Sequence, residues 1–451
     1  MLRCSASVVN SGGMALLLSL LIALAGLQST HCTCTWRKKA IARESFETLS
    51  VERFVVKYLR PAIPVVIEGG AATFGDTPWT FDSIADRCSP RAYMPIFKPT
   101  GDRWAGLKHV ENMPIRQFTQ KLERAELDDG RDTGGGEHGE RMYGFDLNLM
   151  LECPEMLKEI RVPKYFSWCA LQRHYVHSPA HSTPFGMEKF TWPSLMAGVP
   201  NSRSELHYDE AGLPFWMAVL RGQKLFRMLP YADNLHLARH AGPEENTHYG
   251  WPITRPDGAG PGFADYILSE YFSRGAYRFE AVPTGDRNDG PDFDAFPRLC
   301  EAVVYEAEVG AGDVIFIPTG APHAAINQGA TIGITSNFFN PFDDVAARTW
   351  YERACRMGEW GVPYPEDTCN AMLHVNATHP PPFNEREALT YYEAAGFSGP
   401  AEWCRFRRAR MMETMSDTEL ERRSTESRVE TFLNFCAAAK EEEDGENRDE
   451  L

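Results

Sequence analysis

No stretch of the 451 residues stays apolar for the roughly 20 positions that a membrane-crossing helix requires. The single long apolar run, Met14 to Leu27, falls short of that length, so a polytopic membrane protein is excluded and no stable span is expected. Positive charge is also scarce: Lys+Arg 46 against Asp+Glu 62 leaves a formal charge of −16. An acidic surface without a basic stripe repels phosphate backbones, which argues against nucleic acid as a partner. The chain has no Cys-x-x-Cys, so a thioredoxin-like redox site and a zinc ribbon are disfavoured. No internal repeat is visible. What remains is 43% hydrophobic, 12% aromatic and 24% charged, the make-up of a globular protein with a substantial core. The length suits one large domain with an appendage.

The two ends suggest an address. The apolar run follows a short start with Arg3 and carries the small residues Ala23 and Ala25, the pattern of a signal peptide over residues 1–25. A signal anchor is the competing reading. The chain ends Arg448-Asp449-Glu450-Leu451, a variant of the retrieval signal read by a receptor in the secretory pathway. Together they predict residence in the lumen of the endoplasmic reticulum, with that receptor as a partner. Of eleven cysteines, Cys4 would leave with the signal and ten could pair in an oxidising lumen, in an order the sequence does not reveal. Asn376-Ala377-Thr378 is a glycosylation sequon.

Residues 26–44 read as a linker and 45–343 as a β-rich domain. Within it, Pro64 to Gly70 is a β-branched run stopped by glycines, and residues 128–140 are a polar, Gly-rich excursion. Strands are expected at Leu195–Gly198, Phe215–Leu220, Leu225–Leu229, Ala302–Ala307, Val314–Ile317 and Ile332–Phe339. Short strands with frequent turn signals point to a sandwich, jelly roll or barrel, with 240–262 as a loop at its mouth. Residues 344–440 change to helical texture. Helices are expected at Asp343–Met357, Glu385–Ala395, Ala401–Met415 and Glu419–Lys440, the last opened by the capping box Ser416-x-x-Glu419. Such helices either cover the barrel or join two copies in a homodimer. Residues 441–451 form an acidic tail that presents the retrieval signal.

Three His-x-Asp/Glu triplets occur, and such triplets also arise by chance. His138 falls in the Gly-rich excursion and His109 lacks partners nearby, so both read as solvated. His207-Tyr208-Asp209 lies on an extended segment, where residues i and i+2 share a face, so the imidazole and the carboxylate converge. Gly312 to His323 offers a turn, an apolar strand, a Pro-bounded corner and a second histidine. Two histidines and a carboxylate on one face of an octahedral ion are the ligand set of non-haem Fe(II) oxygenases. A structural zinc would want a fourth protein ligand. The three open positions suit a bidentate 2-oxo acid and dioxygen. The far carboxylate of such a diacid needs a cation. Lys224, at the start of the strand after Gly222, is the candidate, and Ser204 could add a hydroxyl.

With these residues in view, the chain resembles the JmjC-domain family of Fe(II)- and 2-oxoglutarate-dependent oxygenases, especially its small hydroxylase-like members, over roughly residues 46–343. The resemblance is carried by Ser204-Glu205-Leu206-His207-Tyr208-Asp209-Glu210, by Gly222-x-Lys224 with Leu229-Pro230, and by Gly312-Asp313, Ile317-Pro318 and His323. It extends to Ser336-Asn337-Phe338 and to the approaches Pro64-Val65-Val66-Ile67 and Cys153-Pro154-Glu155-Met156-Leu157. It implies a double-stranded β-helix, mainly β with flanking helices. In it His207, Asp209 and His323 bind iron, Lys224 and Ser204 hold the far carboxylate of 2-oxoglutarate, and Asn337 lies near the metal end. It further implies that 2-oxoglutarate is decarboxylated to succinate while a C–H bond of a protein or peptide is hydroxylated. A tyrosine often assists co-substrate binding in such proteins; Tyr143 and Tyr175 are both open for that role. The alternatives are a catalytically silent scaffold on the same fold and a sugar-binding or structural cupin-like barrel, in which Lys224 would have no purpose.

Overall fold

Runs of β-branched and aromatic residues that alternate between two faces form the scaffold. The computed structural model describes residues 37–72, 74–75, 78–99, 107–127, 142–170, 193–207, 209, 213–229, 303–340, 344, 347–348, 388–414 and 427–449, with the isolated pairs 3–4, 32–33, 247–248 and 251–252. In chain order the strands begin with β1 (Arg37–Ala40), β2 (Ala42–Ser45), β3 (Val65–Glu68) and β4 (Tyr93–Pro99). They continue with β5 (Leu107–Pro114), β6 (Tyr143–Asn148), β7 (Arg161–Pro163) and β8 (Ser194–Gly198). Next come β9 (Arg203–His207), β10 (Phe215–Arg221), β11 (Gln223–Met228) and β12 (Val303–Gly310). The series closes with β13 (Val314–Ile317), β14 (His323–Asn327), β15 (Thr331–Asn337) and β16 (Ala388–Thr390).

Nine of these make one sheet in the order β2-β3-β13-β10-β15-β8-β6-β4-β5, and five make a second in the order β9-β14-β11-β12-β1. Apolar side chains from both sheets fill the space between them. Val66, Phe215, Met217, Ile315 and Ile317 come from the larger sheet and Phe226, Met228, Val309 and Ala325 from the smaller. The chain crosses from one sheet to the other at buried Ile41, between β1 and β2. This is the expected jelly roll. Its hairpin from β10 to β11 turns at Gly222, whose φ of +74° is left-handed and whose missing Cβ would lie 2.3 Å from the Ala330 carbonyl oxygen. Only glycine makes that turn without strain, and the turn sets the register of β11.

The outer face of the larger sheet has its own core. Phe166 stacks on Trp216 at 5.6 Å and meets Phe54 and Phe338. Burying each such ring is worth about 1.5–3 kcal/mol. Helices α1 (Val51–Phe54), α2 (Phe81–Arg87), α3 (Ile115–Leu127) and α4 (Leu149–Glu152) lie on this side, contributing Phe54, Ile84, Phe118 and Leu149. Cys88 and Cys153 form a disulfide there, and the buried Cys169 accepts at Sγ from the Phe339 backbone N–H at 3.3 Å.

The C-terminal part is helical as expected, with α5 (Tyr391–Ala395), α6 (Pro400–Thr414) and α7 (Ser427–Asp449). Trp403 is fully buried among Tyr391, Tyr392, Phe432 and Phe435. A disulfide between Cys404 and Cys436 fastens α6 to α7. Lys158 pairs with Glu442 at 2.9 Å. These helices therefore pack onto the domain.

Three boundaries differ from expectation. Residues 37–40 and 42–45, placed in a linker, are strands; their Lys and Arg content is that of sheet edges, where charge discourages further pairing. Residues 388–390, placed in a helix, pair as β16 with β7. Most of the tail, through Asp449, continues α7 as helix. His138, Tyr175, the Asn376 sequon, Ser416-x-x-Glu419 and most of 240–262 and 343–357 lie outside the described residues.

Candidate active site

The smaller sheet brings the predicted ligands together by register. His207, the last residue of β9, is the direct partner of His323, the first of β14, which in turn is the partner of Met228 on β11. A register shift between Ser204 and His207 adjusts β9 just before its histidine, and such bulges commonly re-aim a side chain beside a site. Asp209 follows and reaches both rings, with its Oδ1 3.6 Å from His207 Nε2 and 3.7 Å from His323 Nε2. One ligand atom from each of the three lies within 4.8 Å of the others, and no further His, Cys, Asp or Glu among the described residues joins the group.

Two of the three side chains are held from behind by contacts outside the cluster. His323 Nδ1 meets the Ala321 carbonyl oxygen at 3.0 Å, which fixes a proton on Nδ1 and presents the Nε2 lone pair to the site. The Asn337 amide donates to Asp209 Oδ2 at 2.7 Å, leaving Oδ1 toward the imidazoles. Phe215 lies against the His323 ring at 4.9 Å. Burial, then the neighbouring His207, pulls His323 down to about 4, so its imidazole is neutral at ordinary pH. Burial pushes the Asp209 carboxyl up, but the hydrogen bond with His207, the electrostatic interaction with the two imidazole rings and the hydrogen bond from Asn337 outweigh it and hold the group below its ordinary range. Two imidazoles and a carboxylate, without a fourth protein ligand among the described residues, fit a divalent ion with open positions better than a structural zinc.

Four residues further along β14, on the same inner face, lies Asn327, the partner of Lys224. Lys224 is 1% exposed, and among the described residues no carboxylate pairs with it. Its Nζ donates to Tyr143 Oη at 3.1 Å and lies 5.0 Å from the centre of that ring. Burial alone lowers its pKa to about 7. Burial likewise pushes the Tyr143 phenol well above its ordinary value, so it stays protonated. Asn327 Nδ2 donates to Ser202 Oγ at 2.7 Å, while Asn327 Oδ1 has no hydrogen-bond partner. The Gly198 backbone closes this end, since a Cβ there would lie 2.3 Å from both Asn327 Nδ2 and Ser202 Oγ. Ser204 sits between the two rows, opposite Ala325. A buried ammonium without an acid needs an anion from outside, and a dicarboxylate spanning from the ligand cluster to Lys224 meets that need. The residues present thus fit both the metal and the co-substrate.

Of the six residues expected from the sequence, His207, His323, Lys224 and Ser204 lie on this inner face, Asp209 follows β9 at its rim, and Asn337 reaches Asp209 from β15 of the facing sheet. The sequence did not place a tyrosine here; β6 pairs with β8 so that Tyr143 lies opposite Gly198 and reaches Lys224, while Tyr175 lies outside the described residues. The supports at Ala321, Ser202 and Asn327 were missed. His109, read as solvated, is exposed, and its Nε2 lies 3.0 Å from Asn112 Oδ1.

Comparison with known proteins gives a cupin-like domain over residues 51–355. The chain is 22% identical over 304 residues to a "Bifunctional arginine demethylase and lysyl-hydroxylase psr-1" of Caenorhabditis briggsae, and 20% over 317 residues to the protein of that name in Caenorhabditis elegans. Both alignments cover 67% of this chain and 62% of the relative. An "Arginine-specific demethylase JMJ22" of Arabidopsis thaliana is 22% identical over 291 residues, 64% of this chain and 44% of that protein. The chain thus spans less than two thirds of the length of these relatives. With that match over most of its length, a jelly roll of two facing sheets and a His-Asp-His cluster at the strand ends, the chain belongs to the cupin-like domain family, in its JmjC form.

Proposed function

We propose that the protein is an Fe(II)- and 2-oxoglutarate-dependent dioxygenase that hydroxylates a side chain of proteins in the endoplasmic reticulum lumen. The observation that carries this reading is Lys224, a buried cation with no carboxylate partner among the described residues, on the same inner face as His207 and His323. A scaffold or sugar-binding barrel has no use for a charge so costly to bury.

His207, Asp209 and His323 would hold the ferrous ion, which when bound supplies the activation of dioxygen coupled to 2-oxoglutarate decarboxylation. Lys224 would bind the far carboxylate of the co-substrate, with the Tyr143 hydroxyl fixing the direction of its ammonium and Ser204 lining the path between. Asn337 keeps Asp209 aimed at the ion. The walls at Phe215, Met217, Phe226, Met228 and Ile317 are apolar and exclude water from the reacting end.

The relatives' names carry both a lysyl-hydroxylase and arginine demethylases. Hydroxylating an N-methyl carbon gives a hemiaminal that loses formaldehyde, so demethylation is a second outcome of the same step. Hydroxylation is favoured here by the proposed address. That address is supported by the signal-like run at Met14–Leu27, the terminal Arg448–Leu451 sequence and the two disulfides, which suit an oxidising compartment. Among the described residues no helix is long and apolar enough to cross a membrane.

The test is anaerobic loading with Fe(II) followed by a succinate-release assay, with and without lumenal protein extract. Turnover that rises with extract is expected, and Asp209→Ala should abolish it while leaving the fold intact. Succinate release by Asp209→Ala at the parent rate would contradict the ligand assignment.

A further inference from the structure

The row that carries the two histidines continues across the smaller sheet. His207 partners His323, His323 partners Met228, Met228 partners Tyr305 on β12, and Tyr305 partners Lys39 on β1. Direct partners in a sheet share a face, so Lys39 stands on the same face as the ligand cluster. Tyr305 accordingly packs against the apolar residues between the sheets. The row also lies at the mouth, since His207 ends β9, His323 begins β14 and Met228 ends β11. Three strand spacings of about 4.8 Å place Lys39 about 14 Å across the rim from His323.

Lys39 differs from the cations around it. Lys38 and Arg227 both pair with Glu306, whose position in the register is on the opposite face. Arg43 is committed to Glu68 and Asp313. Lys39 is exposed, and among the described residues no carboxylate pairs with it. Its Nζ donates to Tyr305 Oη at 3.2 Å and lies 5.0 Å from the ring centre, so a phenol holds the ammonium in place by a hydrogen bond and a cation–π contact. An exposed cation held at the rim of the site by an aromatic ring is a contact point for a group of negative charge.

We infer that Lys39, held by Tyr305, selects substrates by receiving an acidic side chain of the polypeptide about four residues from the residue that is oxidised. The spacing follows from the span of about 14 Å and an extended chain's rise of about 3.3 Å per residue. The inference rests on the oxygenase reading above and names the substrate class of that site. Tyr305 is a positioning residue here, because it acts through Lys39.

The test presents the full chain, with Fe(II) and 2-oxoglutarate, to pools of 13-residue peptides. Each pool fixes one central residue (lysine, arginine, methylarginine, asparagine or proline) and randomises the flanks, and oxidised peptides are identified by mass shift. A parallel arm uses lumenal protein extract. Oxidised sites should be enriched in Asp or Glu three to five residues from the centre. Lys39→Met should raise the KM for those peptides about two- to fivefold, as expected for one exposed ion pair. The kcat and the KM for 2-oxoglutarate should stay unchanged. Lys39→Glu should exchange the preference for Lys or Arg, and Tyr305→Phe should give a smaller rise in peptide KM. Oxidation without acidic enrichment, or enrichment unchanged in Lys39→Glu, overturns the inference and leaves the oxygenase reading standing. Absence of oxidation in every pool and in extract overturns the oxygenase reading and this inference with it.

Discussion

Lys224, at the closed end of the barrel, makes stability depend on pH through its own protonation. With the folded-state value lowered to about 7 from an ordinary 10.5, the unfolded chain carries a proton between those limits that the folded chain lacks. Stability therefore rises with pH across that window, and the cost of the buried charge is fully present below about pH 7. Lys224→Met removes this cost. The variant should be the more stable protein, by on the order of 4 kcal/mol at pH 6.5, and the gap should narrow steadily toward pH 10. Chemical denaturation of both proteins from pH 6.5 to 9.5, without co-substrate, measures the gap; a constant difference would show that Lys224 is not buried without an acid. The same variant should lose affinity for 2-oxoglutarate, since the charge that destabilises the empty pocket is what the diacid binds.

The cluster of His207, Asp209 and His323 was legible because its signals are local. Two residues apart on an extended segment places His207 and Asp209 on one face, and a Pro-bounded corner after an apolar strand delivers His323. Tyr143 was not decidable, because its role depends on β6 pairing with β8, a contact between segments about fifty residues apart. The Ala321 carbonyl was invisible for another reason: backbone groups carry no residue-type signal.

Among the elements, the β10–β11 hairpin governs where Lys224 lies. The turn needs the left-handed conformation at Gly222, and the Ala330 carbonyl leaves no room for a side chain. Gly222→Ala should cost about 1–3 kcal/mol, read as a lower melting temperature, and should weaken 2-oxoglutarate binding while metal binding persists. Equal weakening of both would mean that the hairpin does not act through Lys224. The strands with clear alternation or continuous apolar runs, β8, β10, β11, β13 and β15, were found within a few residues of their true ends. β4 and β5 were missed: β4 contains Pro95 and Pro99, and β5 has several exposed polar residues because it is an edge. β14 reads His-Ala-Ala-Ile-Asn, with alanines of weak strand propensity, and is made a strand by its neighbours on both sides. β1 and β2 were taken for linker for the same reason, since edge strands rich in Lys, Arg and Glu carry little apolar pattern.

The whole molecule is arranged around one open end and one closed end of the barrel. The rim row carries His207, His323 and Lys39, where a metal ion and a polypeptide would meet, and the floor row carries Lys224 and Asn327. The helices of the larger sheet's outer face and the α6–α7 pair add a second core on the side of that sheet away from the smaller one. The fold class was legible from the density of short strands and turn signals. The docking of the C-terminal helices was not, because Trp403 and the Cys404–Cys436 bridge act between segments with no shared pattern.

Anomalous diffraction at the iron edge, from crystals grown and loaded with Fe(II) under anaerobic conditions, tests the metal centre most directly. One strong peak per chain is expected, within bonding distance of His207 Nε2, Asp209 Oδ1 and His323 Nε2, and absent from Asp209→Ala crystals treated in the same way. A peak elsewhere, or one that survives Asp209→Ala at full strength, would contradict the account.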